Sequence, residues 1–505
     1  QAYTHADIHY LEYFNNRLYC GSDGGIYISE DNALSFTDLS EQLQIGQFYK
    51  ISAIQNDPFT VSGGLQDNGG FYFDNNDWIV WHGADGMETV INPYNSSEVW
   101  GMIQYGGLYY SSSSGQDIIE YGSPEDGLWV TPMQYDSIDN KILAGYSQLY
   151  SHDANNGWQQ ISNYSFPALI SQIEVFQNNS DSIYIASGNK LYLSSDGGIN
   201  ITPIDIPFDS QITSIEVHPD NSSTLWITRS GWNDSEKIYF SSDAGSTWEN
   251  ISYNLPNLPL NVVKYHRGAN ALYIGMDVGV YLLDQDLSIW LPFNNELPNV
   301  IVRDIEINEI YGKIKIGTYG RGVWQADLYD TEQNSIHMYA YALDSVDDVI
   351  CTTSINPVIS YVNVGSQTVD QIKISYELNG VVDVFEWNGE VLSGDLVAIE
   401  IPINIISFGD QLLSIELLEV NNLNYEMVND NFQKSFYVFS NPEYVQFNLT
   451  TDCYAYETSF ALYDDSNMLI AEQNNTFDND TDYIFNYCLG SGCYNFVVND
   501  SYGDG

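Results

Sequence analysis

A short strand that contains a tyrosine recurs about every forty residues through the first 330 residues of the chain. Successive copies are 45, 37, 41, 42, 47, 42 and 43 residues apart. Each period has room for about four short strands, and this combination is typical of one blade of a β-propeller. The repeated position is occupied by Tyr27, Tyr72, Tyr109, Tyr150, Tyr192, Tyr239, Tyr281 and, in the eighth copy, Trp324.

The runs between these positions are short, rich in Ile, Tyr, Thr and Trp, and separated by turn residues. No long stretch shows the periodicity of an amphipathic helix. We therefore predict an all-β chain in which residues 1–330 form a propeller of about eight blades. The last unit offers only three strands, so either residues 1–4 complete it or strands precede them; a larger propeller is the alternative.

The segment SSDAGSTW at 241–248 adds a second, more specific pattern. It resembles the Asp box of sialidase-type propellers, which is a tight turn between the third and fourth strands of a blade. The Asp side chain accepts backbone N–H bonds there, and Gly takes the positive φ angle, so we expect a structural role. The full box comprises Ser241, Asp243, Gly245, Thr247 and Trp248, and weaker copies carry Asp31, Asp153 and Asp196.

The boxes occur together with the segments THADIHYLEY, SDGGIYIS and GGLQDNGG. In this combination the first 330 residues resemble bacterial propellers related to sortilin and to xyloglucanase-type glycosidases. The resemblance implies the fold more strongly than the function, because such propellers include both hydrolases and pure binding proteins.

The forty-residue period stops near residue 330. Residues 331–440 contain β-runs such as QIKISYEL and resemble a CARDB-like, immunoglobulin-type β-sandwich of bacterial surface proteins. That resemblance implies a spacer or adhesion module. It depends on Pro357, Asn363, Gly365, Trp387 and Gly389.

Residues 441–505 contain three of the five cysteines, Cys453, Cys488 and Cys493, which are the candidates for disulfides. This segment resembles a small cysteine-containing β module found at the ends of secreted Bacteroidetes proteins. The resemblance implies secretion, with type IX secretion as the expected route, to the cell exterior or surface.

Two groups of alternating polar residues are candidate metal ligands. Ca²⁺ prefers several carboxylate oxygens, whereas His and Asp on one face of a strand could hold a transition metal. The alternatives are a solvated acidic turn and a hydrogen-bonding cluster at a strand entry. The candidates are Asp478, Asp480 and Asp482 for Ca²⁺, and His5, Asp7 and His9 for the other metal.

The charge balance excludes several partners. Sixty-eight acidic residues face fourteen basic ones, which gives a formal net charge of −54. Nucleic acid and anionic lipid are therefore not expected partners, since phosphate is bound by Lys and Arg. No apolar run is long enough to span a membrane. We expect an extracellular protein whose partner is a glycan or a protein, with a larger surface assembly as a further option.

Candidate site residues come from the loops that form one face of a propeller, where ligands usually bind. The hypothesis is a recognition platform for binding or adhesion; the alternative is a glycoside hydrolase, which needs two carboxylates across a cleft. The carboxylates considered for hydrolysis are Asp23, Asp67, Asp85 and Asp277. The residues considered for ligand binding are Gln66, Tyr105, Arg229, Trp232, Tyr319 and Arg321.

Overall fold

In the computed structural model the chain divides into two compact units, Gln1–Asp330 and Thr331–Gly505. No helix among the residues that the structure describes has the length and apolar character needed to cross a membrane. The described residues are 3–500 except 41–42, 75–76, 154–155, 233–235, 285–287, 295, 330–335, 337, 364, 366, 425–430, 466–468 and 475–476.

The first unit contains eight antiparallel sheets in chain order, seven with four strands and the last with three. All eight repeated aromatic positions lie on the third strand of a sheet, which confirms the predicted all-β propeller repeat. A single 3₁₀ turn, Gln104–Gly106, interrupts the described strands. The strands are β1 (Ile8–Phe14), β2 (Arg17–Ser22), β3 (Gly25–Ser29), β4 (Thr37–Asp38), β5 (Phe48–Ala53), β6 (Val61–Leu65), β7 (Gly69–Phe73), β8 (Trp78–His82), β9 (Gly86–Ile91), β10 (Val99–Ile103), β11 (Leu108–Ser111), β12 (Ile119–Gly122), β13 (Met133–Asp136), β14 (Lys141–Gly145), β15 (Leu149–Asp153), β16 (Gly157–Gln160), β17 (Ile170–Val175), β18 (Ile183–Ser187), β19 (Lys190–Ser194), β20 (Thr202–Ile204), β21 (Ile212–Val217), β22 (Leu225–Arg229), β23 (Ile238–Ser241), β24 (Glu249–Asn250), β25 (Leu260–His266), β26 (Ala271–Met276), β27 (Gly279–Asp284), β28 (Trp290–Pro292), β29 (Val302–Asn308), β30 (Lys313–Thr318) and β31 (Val323–Asp327).

Seven of the eight sheets form a closed ring. The first strand of each of these sheets packs against the first strand of the next, and β29 of the last sheet packs against β5 of the second. The carboxylate of Asp304 accepts a hydrogen bond from the backbone N–H of Ile51 at 3.0 Å. The side-chain amide of Asn308 donates to the carbonyl of Ile54 at 2.7 Å. These bonds join residues about 250 positions apart and close the ring without the first sheet.

The first sheet, β1 to β4, therefore lies outside the ring. Every residue of β1 is exposed, including Tyr13 at 61% and Phe14 at 58%. By contrast, Ile51 of β5 and Ile305 of β29 are only 2% and 0% exposed. The prediction of eight repeats is correct as a count of sheets, but the ring has seven blades because the second and eighth sheets bond to each other.

The last sheet has the three strands expected from the sequence. Tyr3 and Thr4 lie outside any strand, and residues 1–2 fall outside the described part of the chain. Completion of this sheet by residues 1–4 is therefore not seen among the described residues, which add no fourth strand to it.

The full Asp box forms a closed set of short-range hydrogen bonds between β23 and β24. The hydroxyl of Ser241 donates to Asp243 at 2.9 Å and accepts from the backbone N–H of Gly245 at 2.9 Å. Asp243 also accepts from the N–H and hydroxyl of Thr247, at 2.8 and 2.7 Å. Bonds from Thr247 and Ser241 hold the pKa of Asp243 below its usual value. The carboxylate is thus engaged within its own turn.

The weaker boxes use the same bonds with different residues. Asp31 accepts from the N–H of Ser35, Asp196 from that of Asn200, and Asp153 from that of Asn156. In the third sheet the carboxylate comes from Asp117, which accepts from the hydroxyl of Ser111 at 2.7 Å. The turn therefore requires a carboxylate that can accept hydrogen bonds from the turn residues, but this carboxylate can come from different sequence positions.

The second unit is also built from strands. Sheet β32-β35-β38 shares one hydrophobic core with sheet β33-β42-β40-β36-β37, and a 3₁₀ turn, Ala455–Glu457, precedes β44. The remaining described strands pair as β34 with β39, β43 with β46, and β44 with β45 and β47. The strands are β32 (Met338–Asp344), β33 (Val349–Ile350), β34 (Ser354–Ile355), β35 (Val358–Asn363), β36 (Val369–Leu378), β37 (Val381–Val391), β38 (Leu396–Glu400), β39 (Ile403–Asn404), β40 (Gly409–Val420), β41 (Leu423–Asn424), β42 (Asn431–Val438), β43 (Glu443–Thr450), β44 (Thr458–Tyr463), β45 (Leu469–Asn474), β46 (Asp482–Leu489) and β47 (Asn495–Asp500).

The cysteine prediction needs a correction. Cys488 forms a disulfide with Cys351, whereas Cys453 and Cys493 are free and exposed and Cys20 is free and buried. Strand β33 ends beside the end of β42, and β43 then pairs with the strand that carries Cys488. The two sulfurs therefore meet although 137 positions separate them, which the clustering of cysteines in the tail could not show.

A peptide map of the non-reduced protein should contain a cross-linked peptide pair joining Cys351 to Cys488. Alkylation before digestion should label Cys453 and Cys493, because both are exposed free thiols. A cross-link between Cys453 and Cys493 would contradict this pairing.

The seven-bladed ring makes a second prediction about stability. Ile305→Ala should lower the free energy of unfolding by about 2–5 kcal/mol, since the side chain is fully buried between blades. Phe14→Ala should change it by less than about 0.5 kcal/mol, because Phe14 is largely exposed. Thermal and denaturant unfolding of both variants measures the difference; equal losses would place β1 inside the ring.

Candidate functional site

The candidate site is a cavity of about 380 Å³ on the ring, which we call the axial mouth. Its residues come from the beginnings of the innermost strands and from the connections that lead into them. Neighbouring blades bring these starts together because the innermost strands are adjacent around the ring. The cavity is lined by Tyr49, Lys50, Glu88, Leu128, Trp129, Val130, Pro132, Ser171, Gln172, Gln211, Ile212, Thr213, Asn261 and Arg303.

Tyr49 and Trp129 form one side of the axial mouth; together with Gln66 and Tyr319, which contact Tyr49, we call them the aromatic wall. The indole N–H of Trp129 donates to the hydroxyl of Tyr49 at 3.1 Å, and that hydroxyl donates to the amide oxygen of Gln66 at 2.9 Å. The hydroxyl of Tyr319 donates to the same amide oxygen. Trp129 remains 42% exposed, so this network orients its ring while leaving the ring accessible to a ligand.

Other lining residues present amides and hydroxyls. The side-chain amide of Asn261 donates to Asp277 at 3.0 Å and to the carbonyl of Val302 at 3.1 Å. The hydroxyl of Thr213 donates to the carbonyl of Leu260 at 2.9 Å. These bonds fix polar groups at the edge of the cavity, where ligand pockets typically place the few groups that orient a ligand.

Next to the mouth, and sharing Lys50 and Glu88 with its lining, lies a group of charged residues that we call the axial floor. Lys50 lies 3.5 Å from Asp304, and Lys264 lies 3.7 Å from Glu216. The amide of Gln134 donates to Glu174 at 2.6 Å. Five carboxylates face two lysines in this group, so the floor has an excess of acid. Its members are Lys50, Glu88, Glu174, Glu216, Lys264, Asp304 and Glu306.

Burial determines the protonation of these carboxyls. It disfavours the charged form and raises the pKa of Glu88 and Glu174 to about 8 and that of Glu306 to about 7. Burial also lowers the pKa of Lys264, but the carboxylates of Glu216 and its neighbours outweigh burial and raise that pKa above its usual value. Protons on part of the carboxyls therefore reduce the excess of negative charge at neutral pH.

The carboxylates predicted for hydrolysis do not line the axial mouth. Asp67 and Asp85 are neighbours, and the backbone N–H of Asp67 donates to Asp85 at 2.7 Å. Asp23 and Asp7 join Asp67, with carboxylate oxygens of the three within 4.8 Å of one another. Asp277 lies on another blade and binds Asn261. The predicted set therefore contains one cluster and one separate carboxylate.

His5, Asp7 and His9 do not share one face of a strand, as the metal hypothesis required, and their hydrogen bonds agree with the alternative of a hydrogen-bonding cluster. Asp7 has a φ angle of 55°, so the backbone there is left-handed and the alternation of a strand does not extend through it. The ring of His5 bonds to the carbonyl of Asp67 at 3.1 Å, whereas His9 lies 2.6 Å from the carboxylate of Asp23. Two different partners thus hold the two histidines.

The candidate Ca²⁺ ligands of the tail also remain apart. Asp482 accepts from the hydroxyl of Thr450 at 2.6 Å, and Asp478 contributes its backbone carbonyl to Thr451 at 2.6 Å. Asp480 uses its backbone N–H to bond Asp452. Within the described ranges these residues do not form a cluster with metal-ligand geometry, because the chain turns between them.

Some of the predicted ligand-binding residues lie close to the axial mouth, and the others lie elsewhere. Gln66, Tyr319 and Tyr105 do not line the cavity themselves, but Gln66 and Tyr319 contact Tyr49, and the ring of Tyr105 meets that of Trp129 at 5.5 Å. Arg229 instead pairs with Glu236 at 2.8 Å. Trp232 is 66% exposed, and Arg321 bonds the carbonyl of Gly320; neither lines the cavity.

Sequence reasoning missed Tyr49, Trp129 and Asn261. Tyr49 and Asn261 are the second residues of β5 and β25, and Trp129 lies in the connection before β13. The signal was available, because the start of each innermost strand faces the axis.

A larger cavity of about 500 Å³ lies in the second unit, but its Asp348 pairs with Lys434, and the described residues that line it form no comparable group of charges.

The axial floor predicts that stability falls as pH rises from 7 to 8.5. A carboxyl whose pKa is raised by folding contributes stability below its unfolded pKa and loses it as pH rises through the folded value. For Glu88, Glu174 and Glu306 the loss begins near the usual pKa of a glutamate and ends at about pH 7 to 8, so it is still in progress above pH 7 for Glu88 and Glu174. The thermal unfolding midpoint should therefore decrease across this interval. In Glu174→Gln the decrease should be clearly smaller, since one of the carboxyls that still lose their proton above pH 7 is removed.

Glu249→Gln is the matched control, because Glu249 is exposed on β24 and should leave the slope unchanged. Burial lowers the pKa of His82 and His152, so these residues act with the opposite sign, but only below about pH 6.5. A midpoint that stays constant or rises between pH 7 and 8.5 would contradict the assignment.

Comparisons with known proteins agree with the propeller. The family model Sortilin-Vps10 (Sortilin, neurotensin receptor 3) matches residues 146–270. A probable oligoxyloglucan-reducing end-specific xyloglucanase of Neosartorya fischeri is 25% identical over 166 residues. That match covers 29% of this chain and only 19% of the length of the xyloglucanase.

Solved structures show a similar general likeness. An ancestral GH74 enzyme is 13% identical with a TM-score of 0.47, over 77% of this chain and 62% of that one. A catalytically inactive virginiamycin B lyase from Staphylococcus aureus is 16% identical with a TM-score of 0.47, over 57% and 97%. The chain is thus similar over part of its length to sortilin-type and xyloglucanase propellers, and it contains a β-propeller.

Proposed function

We propose that the protein binds an oligosaccharide at the axial mouth and does not cleave it. The observation that carries this proposal is the composition of the cavity: an accessible Trp129 held by Tyr49, with amide and hydroxyl groups around it. Aromatic side chains offer a flat apolar surface for a sugar ring, and amides can bond its hydroxyls. Similarity to a xyloglucanase favours a glycan over other ligand classes.

The acid distribution argues against hydrolysis at this site. A glycosidase needs two carboxyl groups on either side of the scissile bond, about 5–5.5 Å apart for retention or 6.5–9.5 Å for inversion. Glu88 is the one carboxylic residue among the described residues that line the cavity. Its raised pKa suits an acid, but no second carboxylate shares the lining with it.

The proposed setting is extracellular, at a surface or in a matrix that contains polysaccharide. A net charge of −54 favours solubility and disfavours binding to polyanions, and the disulfide of the second unit suits an oxidising compartment. The sandwich and tail strands of residues 331–505 would then serve as a spacer or attachment module. Adhesion to glycan is the biological role that we assign to the whole chain.

Calorimetric titration with cello- and xyloglucan oligosaccharides tests the proposal. The wild-type protein should bind saturably, and Trp129→Ala should weaken binding at least about tenfold, the cost of about 1.4 kcal/mol expected for a central aromatic contact. Trp232→Ala is the matched control, because Trp232 is exposed and outside the cavity. Its affinity should stay within about twofold.

Two outcomes would overturn the proposal. Equal losses in Trp129→Ala and Trp232→Ala, or no binding at all, would remove the axial mouth as the site. Release of new reducing ends during prolonged incubation would replace binding by hydrolysis. The aspartates near Asp67 would then be the next residues to substitute.

A further inference from the structure

The arginines of this protein differ in whether they form ion pairs with carboxylates. Three of the five form ion pairs, as expected in a chain with 68 acidic residues: Arg17 with Glu30, Arg229 with Glu236 and Arg267 with Asp220. Arg303 forms no ion pair within the part of the chain that the structure describes, although carboxylates outnumber basic groups almost fivefold. Arg321 also forms no ion pair among the described residues, but it is exposed, whereas Arg303 lines the axial mouth.

The position of Arg303 leaves part of its guanidinium without a partner. Its Cζ lies 5.2 Å from the centre of the Tyr319 ring, so the group stacks on the aromatic wall. Its Nε is buried and has no hydrogen-bond acceptor. A buried unsatisfied donor costs about 1–3 kcal/mol, so native structures usually provide an acceptor from water, an ion or a ligand.

Two carboxylates on or bonded to residues near Arg303 have other partners. Asp304, next in the chain, accepts from the N–H of Ile51 and pairs with Lys50. Asp277 accepts from the side chain of Asn261. Glu88 shares the cavity, but burial raises its pKa to about 8, so it is mostly neutral at pH 7. Among the described residues no carboxylate lies within ion-pair distance of the guanidinium, which lines the cavity.

We infer that Arg303 is an anion subsite of the axial mouth and binds the carboxylate of a single uronic acid residue within the bound oligosaccharide. The inference rests on the proposed function and adds a ligand class to it. A guanidinium matches a carboxylate by two parallel N–H···O bonds, which give direction as well as charge. The sugar that carries the carboxylate then lies beside Tyr319 and within the reach of Trp129.

The charge of the rest of the molecule limits the ligand to one such group. A net charge of −54 repels a polyuronate. One arginine offers one binding position, so the remaining sugars of the ligand are neutral. A glycan with isolated uronic acid substituents fits both conditions.

A pair of disaccharides that differ in one group tests the inference. The acidic probe is glucuronosyl-β-1,4-glucose, and the neutral probe is cellobiose, which has a hydroxymethyl group in place of the carboxylate. Calorimetry should show that the wild-type protein binds the acidic probe at least tenfold more tightly. The methyl ester of the acidic probe should lose this advantage without any change to the protein.

Variants of the protein test whether Arg303 causes the preference for the acidic probe. Arg303→Met should reduce the ratio of the two affinities to about one, and Arg303→Lys should retain part of it, because Lys keeps the charge but not the planar fork. Arg321→Met is the control: Arg321 is exposed, outside the cavity and without an ion pair among the described residues. The ratio of its affinities for the acidic and the neutral probe should equal that of the wild type. Thermal unfolding verifies that each variant is folded.

The outcomes separate this inference from the proposed function. Equal affinity for the two probes, or an unchanged ratio in Arg303→Met, overturns the arginine subsite and leaves glycan binding intact. If neither probe nor a longer neutral oligosaccharide binds, the proposed function fails and the subsite with it. Preferential binding of a peptide with a free C-terminal carboxylate over its amide would overturn the assignment to a uronic acid.

Discussion

The closure of the ring between its first and last blades is the constraint on which the rest of the first unit depends. The bonds of Ile51 with Asp304 and of Ile54 with Asn308 hold together segments that are distant in sequence. Because the ring closes there, the innermost strands converge and their first residues meet around one opening. The axial mouth therefore exists only in the closed ring, and its aromatic wall combines Tyr49 of one closing blade with Tyr319 of the other.

The same convergence creates the axial floor. Propeller strands place side chains of one register on the axis, and here those side chains are mostly Glu and Lys. Ion pairs such as that of Lys264 with Glu216 offset only part of the cost of burial, and protonation of Glu88 and Glu174 offsets more. The centre of the ring is thus polar and sensitive to pH, while the hydrophobic clusters lie between the blades.

Local patterns predicted the elements well and their long-range partners poorly. The tyrosine repeat placed every third strand correctly, and the Asp box predicted its own turn, because both depend on neighbouring residues. Ring closure, the disulfide of Cys351 and the contact of His5 with Asp67 join residues about 60 to 250 positions apart. A single sequence does not show which of such distant residues meet. Arg303 could be placed near the face from its position, but its lack of an ion pair is visible only in three dimensions.

The position of the closing contacts also determines how the unit responds to tension. The chain runs from the first sheet into the ring through residue 46, whose carbonyl accepts from the backbone N–H groups of Gly320 at 3.1 Å and Gly322 at 3.0 Å. Gln47 then bridges Tyr319. A pull along the chain from the first sheet reaches these bonds before it reaches β5, so they act as a clamp on this connection. Because the ring of Tyr319 contacts that of Tyr49, tension on this connection would act first at the edge of the axial mouth.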